Sequence, residues 1–524
     1  MTLRPFVIPA VLVLLGLMLS DGAGAQNATS GGLAGVVTDP SNAVVPGARV
    51  QLKENAKGTS QAKTTDRYGG YSFSFVPPGT YTLTVTHPGF RTVSQILVVS
   101  VGPPSTLNVR LAIAESSDTV IVTGDTVPLH AENGDASTTV GRLQIAQVPN
   151  PGNDLTYIAQ TSPGVIMNTA GGVGNFSVLG MPGLSTTFSL NGMNYTDIGL
   201  GINVTSASNL LLGINQIQEA TIVSSGYSGH VGVQAGANVS YITKSGGNQF
   251  HGNALYFWNG RVLNANDWIN NATGTPRPFD NANQWAGSIG GPIKTDKLFF
   301  FFDTEGLRLL IPQVTQVVIP SLQFEEATLA NIDAKFGSAS ASDAFYRQIF
   351  SLYNTAPGAN GADPGGFAPS TDPTGCTGFT GPNGLGTTAP CARHYQANLG
   401  RPTYESLYSG RVDWNIRPQD RIFILVAYNY GHQSSITDPI SKLFDINSKQ
   451  PLWQGQLVET HTFGSSAANQ FLIGGYKLNS HDGPKSIPDM LQALPTLISW
   501  QDANTFTNIG STQGRSVDSA PRNT

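Results

Sequence analysis

From Tyr408 to Ile416 the chain changes polarity at every residue. Tyr408, Gly410, Val412, Trp414 and Ile416 share one face, and Ser409, Arg411, Asp413 and Asn415 share the other. At 100° per residue a helix would mix the two sets around its axis, whereas a strand keeps them apart. Strands are also predicted at residues 250–258, 284–290, 297–309, 421–430, 453–463 and 469–478, seven in all after Asn248. The connections alternate too. Tight ones at 292–296, 417–420 and 464–468 are set against a very long one from about Pro312 to Pro402, which is read as loop. Alternating strands with short turns at one end and long loops at the other are the pattern of a transmembrane β-barrel with one lipid-facing and one lumen-facing surface.

The first residues set the compartment. Arg4 precedes an apolar run over residues 5–19, and Ala23-Gly24-Ala25 follows. This reads as a secretory signal peptide over 1–25, cleaved between Ala25 and Gln26, because the run is shorter than the roughly 20 apolar residues of a spanning helix. No later segment has the uninterrupted apolar length of a membrane helix. Entry into a membrane must therefore be by strands, the other way to satisfy the backbone in lipid. The cysteines Cys376 and Cys391 both fall in the long loop, and in an exported protein the pair is read as a loop-closing disulfide. Without His at ligand spacing they argue weakly for zinc, and no metal site is assigned.

Charged residues are only 12% of the chain, about half the usual ~25%, while Gly reaches 60 and Pro 33. Turn-formers abound and helix-supporting ion pairs are scarce, so a mostly β fold is predicted. A net charge of -5 without a dense Lys/Arg run excludes nucleic acid as a partner. There is no His-Glu-x-x-His, Gly-x-Ser-x-Gly or Walker loop, and the nearest His/carboxylate pair, His130 with Glu132, lies in a polar linker. No catalytic or cofactor residue is assigned, and the chain is not read as an enzyme.

Residues 26–114 carry short β-rich runs between turn signals, a β-sandwich pattern in which Tyr71, Phe73, Tyr81, Leu83 and Val85 would share one buried face. Gly35-Val36-Val37-Thr38-Asp39, Pro46-Gly47-Ala48, Thr65-Asp66 with Gly69, and Pro77-Pro78-Gly79-Thr80-Tyr81 resemble the carboxypeptidase regulatory-like domain. That resemblance implies a small noncatalytic accessory domain, and no aromatic platform argues for sugar binding in it.

The run over 115–124, with Asp118, Thr119, Val120, Ile121, Val122 and Thr123 at its centre, resembles a TonB box. Such a segment pairs with a periplasmic coupling protein, and a β-branched, extended stretch suits strand addition. The same run would also serve as an edge strand of the preceding sandwich. Residues 125–246 resemble the plug domain of TonB-dependent receptors. The matching pieces are Leu155-Thr156-Tyr157-Ile158, Ser162-Pro163-Gly164-Val165, Phe176-Ser177-Val178, Phe188-Ser189-Leu190-Asn191-Gly192, Ile217-Gln218-Glu219, Tyr227-Ser228-Gly229 and the segment 236–246. The family shows an acid where Asn191 stands and an Arg after the Phe176 strand. This chain has neither, so no ligand contact carries over at the plug apex. Residues 248–302, with Gly287-Ser288-Ile289-Gly290-Gly291-Pro292 and Lys297-Leu298-Phe299-Phe300-Phe301-Phe302, resemble the barrel start of Oar-like TonB-dependent receptors.

The resemblance implies an N-terminal β-sandwich in the periplasm, an α+β plug domain, and an incomplete antiparallel transmembrane β-barrel over 247–524 in the cell outer membrane. Its implied partners are a TonB-type periplasmic coupling protein, outer-membrane lipid, and a ligand that could be a siderophore, oligosaccharide, peptide or protein. The alternative is a surface scaffold, adhesion or carbohydrate-binding protein without active transport. A transporter barrel of about 22 strands needs more than the 277 residues after Gly247. The polar stretch 516–524 lacks an alternating strand, so the chain is read as a fragment of a longer product.

Overall fold

The computed structural model describes residues 29–523 apart from 103, 114–119, 127–135, 149, 151–152, 168–175, 198–200, 226–235, 273, 275, 367–371, 464–466, 501–505 and 511–516. The proposed cleavage site at Ala25 and Gln26, the pair His130 and Glu132, and the residues Asp118 and Thr119 lie outside the described residues.

The N-terminal unit is a sandwich of two sheets. One has Gly31–Thr38 between Gly70–Val76 and Pro104–Thr106, and the other runs in the order Ser60–Thr64, Arg49–Glu54, Gly79–Thr86, Val93–Val99, Val120–Thr126. Period-two alternation buries Tyr71, Phe73, Tyr81, Leu83 and Val85 in one core with Leu33, Val50 and Leu97. The Thr65-Asp66 motif builds the turn before Gly70. Asp66 Oδ1 accepts the amides of Tyr68 and Gly70, each at 2.8 Å, and Gly69 takes φ +71°, where a Cβ would be strained.

The middle unit has a five-stranded mixed sheet in the order Ala136–Gly141, Ile217–Ser225, Asn238–Thr243, Thr187–Leu190, Met193–Asn194. Asn191 and Gly192, at φ +47° and +81°, make the two-residue turn that pairs Leu190 with Met193. That geometry needs positive φ at both positions, which explains Asn-Gly at this point of the sequence. The unit's apolar core, around Val140, Ile158, Phe176, Phe188 and Tyr241, is completed by Leu425, Leu452, Tyr476 and Leu478 from the sheet that surrounds it.

That surrounding sheet carries eight strands paired antiparallel in chain order: His251–Gly260, Asn281–Lys294, Leu298–Pro320, Ala392–Arg417, Asp420–Ile436, Ile446–Phe463, Ala467–Pro484 and Val517–Asn523. Among the described residues its two edge strands do not meet, so the wall is open. Its burial is inverted relative to a soluble protein. On the fourth strand Trp414 is 50% exposed while its neighbour Asp413 is 6% exposed, and on the fifth Val426 is 50% exposed between buried Leu425 and Ala427. Outward aromatics cluster at two heights, Trp414, Phe463 and Phe471 near the tight turns and Tyr404, Tyr408, Tyr430 and Trp453 toward the long connections. This is the girdle arrangement of a barrel wall in lipid.

Two expectations are corrected. Among the described residues the strands paired in chain order number eight, because Val517–Asn523 in the polar tail pairs with Ala467–Pro484; backbone pairing to an existing edge needs no apolar alternation. The span from Pro312 to Pro402 is not a bare loop. Its flanking strands continue to Pro320 and resume at Ala392, pairing residue for residue. Between them lie two α-helices, Leu322–Phe336 and Ala341–Asn354, each started by a serine whose hydroxyl accepts a first-turn amide: Ser321 from Phe324 and Ser340 from Asp343, both at 3.1 Å. The helices pack Ile349, Phe350 and Tyr353 against Val317, Ile319 and Tyr395 in a separate outer core.

Val426 lies midway between the two girdles, so an arginine there tests the lipid assignment. Val426→Arg is expected to destabilise the inserted wall by about 2–4 kcal/mol, read from urea-dependent unfolding in lipid vesicles, where the same change on a water-exposed strand would be near neutral.

Candidate functional site: the plug seat and the linking strand

The third and fourth wall strands point acids inward at period two, and these acids grip the main chain of the plug. Glu305 accepts the amides of Gly213 at 2.9 Å and Asn215 at 2.6 Å. Glu405 accepts the Ser208 amide at 3.1 Å and Asn429 Nδ2 at 2.8 Å. Asp303 accepts Asn215 Nδ2 at 2.6 Å, and Lys244 Nζ donates to the Asn215 carbonyl at 2.6 Å. The plug segment 208–215 is therefore seated by carboxylates of the wall, Glu305 and Glu405 through its backbone amides and Asp303 through the Asn215 side chain. All three acids are buried, where a donor left without its acceptor is costly.

A second anchor joins the plug sheet to the sixth wall strand. Asn191 Oδ1 accepts the Thr243 amide at 3.0 Å, and its Nδ2 donates to Gln456 Oε1 at 3.1 Å on the sixth wall strand. Gln456 in turn donates to the Leu190 carbonyl at 2.7 Å. Asn191 thus serves the plug–wall seam as well as its own turn. Arg411 donates to Thr243 Oγ1 at 2.8 Å and pairs with Asp413 at 2.8 Å. Of these residues, Asn191, Arg411 and Asp413 stand out in the sequence, but as a departure from the family pattern and as one face of a strand; Asp303, Glu305, Glu405 and Gln456 do not. The available signal was polar residues on the inward face of a strand, as in Asp303-Thr304-Glu305 after four phenylalanines, but alternation alone does not say what such a face holds.

The segment Val120–Thr126 is the last strand of the larger sandwich sheet. It runs parallel to Val93–Val99, with Val93 opposite Val120, Ser94 opposite Ile121 and Gln95 opposite Val122. The sandwich also touches the plug: the Val101 amide donates to Glu219 Oε1 at 2.7 Å. Burial pushes the Glu219 carboxyl up to about 7, against the opposing pull of hydrogen bonds from Val101 and Ser100. Cys376 and Cys391 are joined by a disulfide in the outer lobe, beside Leu385. Asp420, Glu459 and His461 hold donor atoms within 4.8 Å of one another on the wall's outer face near the tight turns. Asp420 is already engaged by Arg417 at 3.3 Å and by His461, so the group is an ion-pair cluster at the lipid boundary.

Two outcomes follow from this seat. Glu305→Ala leaves two buried amides without their acceptor, at about 1–3 kcal/mol each, and hydrogen exchange at Gly213 and Asn215 is expected to accelerate at least tenfold while wall amides hold. For Glu219, the folded protein keeps a proton between the ordinary carboxylate value and about 7 that the unfolded chain has lost. Stability therefore declines as pH rises through that window and is flat above it. Glu219→Gln is expected to flatten the slope, measured as midpoint of thermal unfolding against pH.

Residues 242–523 match the model of the outer membrane beta barrel domain, and residues 32–112 match that of the carboxypeptidase regulatory-like domain. The chain is 27% identical over 311 residues to the TonB-dependent transporter Oar of Myxococcus xanthus, a match covering 56% of this chain and 28% of that protein. Among solved structures it is similar to the outer membrane transporter YddB from Escherichia coli, with TM-score 0.46 and 9% identity, over 73% of this chain and 43% of that one. The siderophore receptor PirA from Acinetobacter baumannii is similar over the same shares, with TM-score 0.40 and 11% identity. The chain spans less than half the length of each of these relatives. With the barrel model matching more than half of its residues, on the sheet whose burial is inverted for lipid, the chain belongs to the outer membrane beta barrel domain family and is a protein of the outer membrane.

Proposed function

We propose that the protein works as a TonB-dependent outer-membrane receptor and transporter, energised through the segment Asp118, Thr119, Val120, Ile121, Val122 and Thr123. The observation that carries this reading is a plug sheet seated inside an inverted wall by hydrogen bonds to its backbone, with a strand-forming segment placed in the chain just before it. A lumen filled in this way passes nothing unless the plug moves, and a force delivered to a leading segment is a means of moving it. The kinship with a protein named as a TonB-dependent transporter supports the same reading. Val120–Thr126 has an extended backbone and one paired edge, so its other edge suits strand addition by a coupling protein.

The outer lobe, built from two helices and a disulfide-closed loop, is where ligand would first be met.

Deleting residues 118–123 from the protein in outer-membrane vesicles is expected to weaken binding of a TonB C-terminal domain at least 100-fold, with insertion unchanged by heat-modifiability on gels. Val122→Pro alone, which removes a ladder donor, should cost about tenfold. Undiminished binding in both variants would sink the proposal and favour a surface scaffold without transport.

A further inference from the structure

The sandwich sits on the tight-turn end of the wall, tied to it at four places and to the plug at a fifth. Lys57 Nζ lies 3.5 Å from Asp413 Oδ1, Arg421 donates to the Phe75 carbonyl at 2.9 Å, and the Asn248 amide donates to the Ala56 carbonyl at 2.8 Å. Thr29 Oγ1 meets Gln470 Oε1 at 2.9 Å, and Val101 meets Glu219 at 2.7 Å. The Lys57 and Asp413 side chains are both about nine-tenths buried, so this pair is an interior contact rather than a loose surface one. Between the three units lies a cavity of about 610 Å³. Lys57 and Phe75 of the sandwich, Gln218 and Lys244 of the plug, and Asp413 and Arg421 of the wall contribute to its lining. Its volume is that of a small-molecule site.

We infer that this cavity is an exit chamber on the transport path and that the sandwich is its lid. The inference rests on the transport reading above. The sandwich covers the plug at the end away from the long connections, so a solute released past the plug enters the chamber before it reaches bulk water. The lid and the plug share one wall residue. Asp413 pairs with Lys57 of the sandwich and with Arg411, and Arg411 holds Thr243 of the plug. Lifting the sandwich removes one of the two cations at Asp413 and hydrates the remaining pair, which loosens the grip on Thr243. Because Val120–Thr126 is a strand of the sandwich sheet, load applied to it passes through the ladder to the lid before it reaches the plug. The lid thus opens first and the plug edge second.

The chamber can be tested without the coupling protein. The two cysteines of the chain are joined to each other, so an introduced thiol is reported without background under non-reducing conditions. Gln218→Cys places a thiol in the plug wall of the chamber, and Ser41→Cys places one on an exposed turn of the sandwich. In isolated outer membranes opened to the periplasmic side, a 5-kDa maleimide–polyethylene glycol is expected to label Gln218→Cys at least tenfold more slowly than Ser41→Cys. Adding Lys57→Glu, which sets two anions against each other at Asp413, or Arg421→Glu, which loosens the lid from the wall side and leaves the sandwich sequence intact, should each raise the Gln218→Cys rate at least tenfold. Equal labelling of the two cysteines in the otherwise unaltered protein, or no acceleration in Arg421→Glu, would overturn the lid. A shielded chamber that opens in Arg421→Glu, in a protein that binds no coupling domain, would keep the lid and remove the transport reading.

Discussion

The structure depends on one constraint: a backbone crossing lipid must find all its hydrogen-bond partners within the protein. The six inner strands of the wall meet it by pairing with a neighbour on each side, almost residue for residue. The price of that solution falls on the other face. Apolar side chains go outward to lipid, so the inner face receives Asp303, Glu305, Glu405, Asp413, Gln454 and Gln456, all buried. Such groups are tolerated only when they are hydrogen-bonded. A polar-lined concavity of this kind is completed by a plug that offers donors.

The plug meets that need with its main chain and with Asn215. Glu305 and Glu405 take three backbone amides from residues 208–215, and the Asn215 side chain adds bonds to Asp303 and Asn253. Asn191 is explained in the same terms. A carboxylate at that position could accept the Thr243 amide but could not also donate to Gln456, as the Asn191 amide does.

The wall was legible because period two is a direct consequence of strand geometry and survives inversion of the burial pattern. Seven of its strands are legible from alternation, although Leu298–Pro320 and Ala392–Arg417 run well beyond the alternating segments on the side of the long connection. The eighth is not, because Val517–Asn523 takes its place by backbone pairing and its sequence shows no alternation. The outer helices are hidden in a long Gly- and Pro-containing span that reads as one loop. Their starts were nonetheless written in Ser321 and in Ser340-Ala341-Ser342-Asp343, where a hydroxyl three residues before a helix interior caps it. The sandwich core was readable at Tyr71, Phe73, Tyr81, Leu83 and Val85, since both sheets keep the ordinary sense of burial. The seat was not readable, since its plug-to-wall hydrogen bonds join residues far apart in the chain, as Glu305 to Gly213 and Asn191 to Gln456 do.

The two readings of the segment after residue 114, coupling strand and edge strand, need not compete. A strand with β-branched residues forms at a sheet edge for the same reason that it can be captured by another sheet: its peptide groups are presented in a row. The edge it occupies is parallel to Val93–Val99 and its register is interrupted between Gln95 and Leu97. Parallel pairing is the weaker kind per residue, and a register break shortens the run of good bonds. A partner that adds to the free edge meets a strand already extended, so little backbone entropy is lost in the encounter. Under the proposed coupling function, holding the strand on the sandwich would prepare it for capture while tying it to the unit that covers the plug.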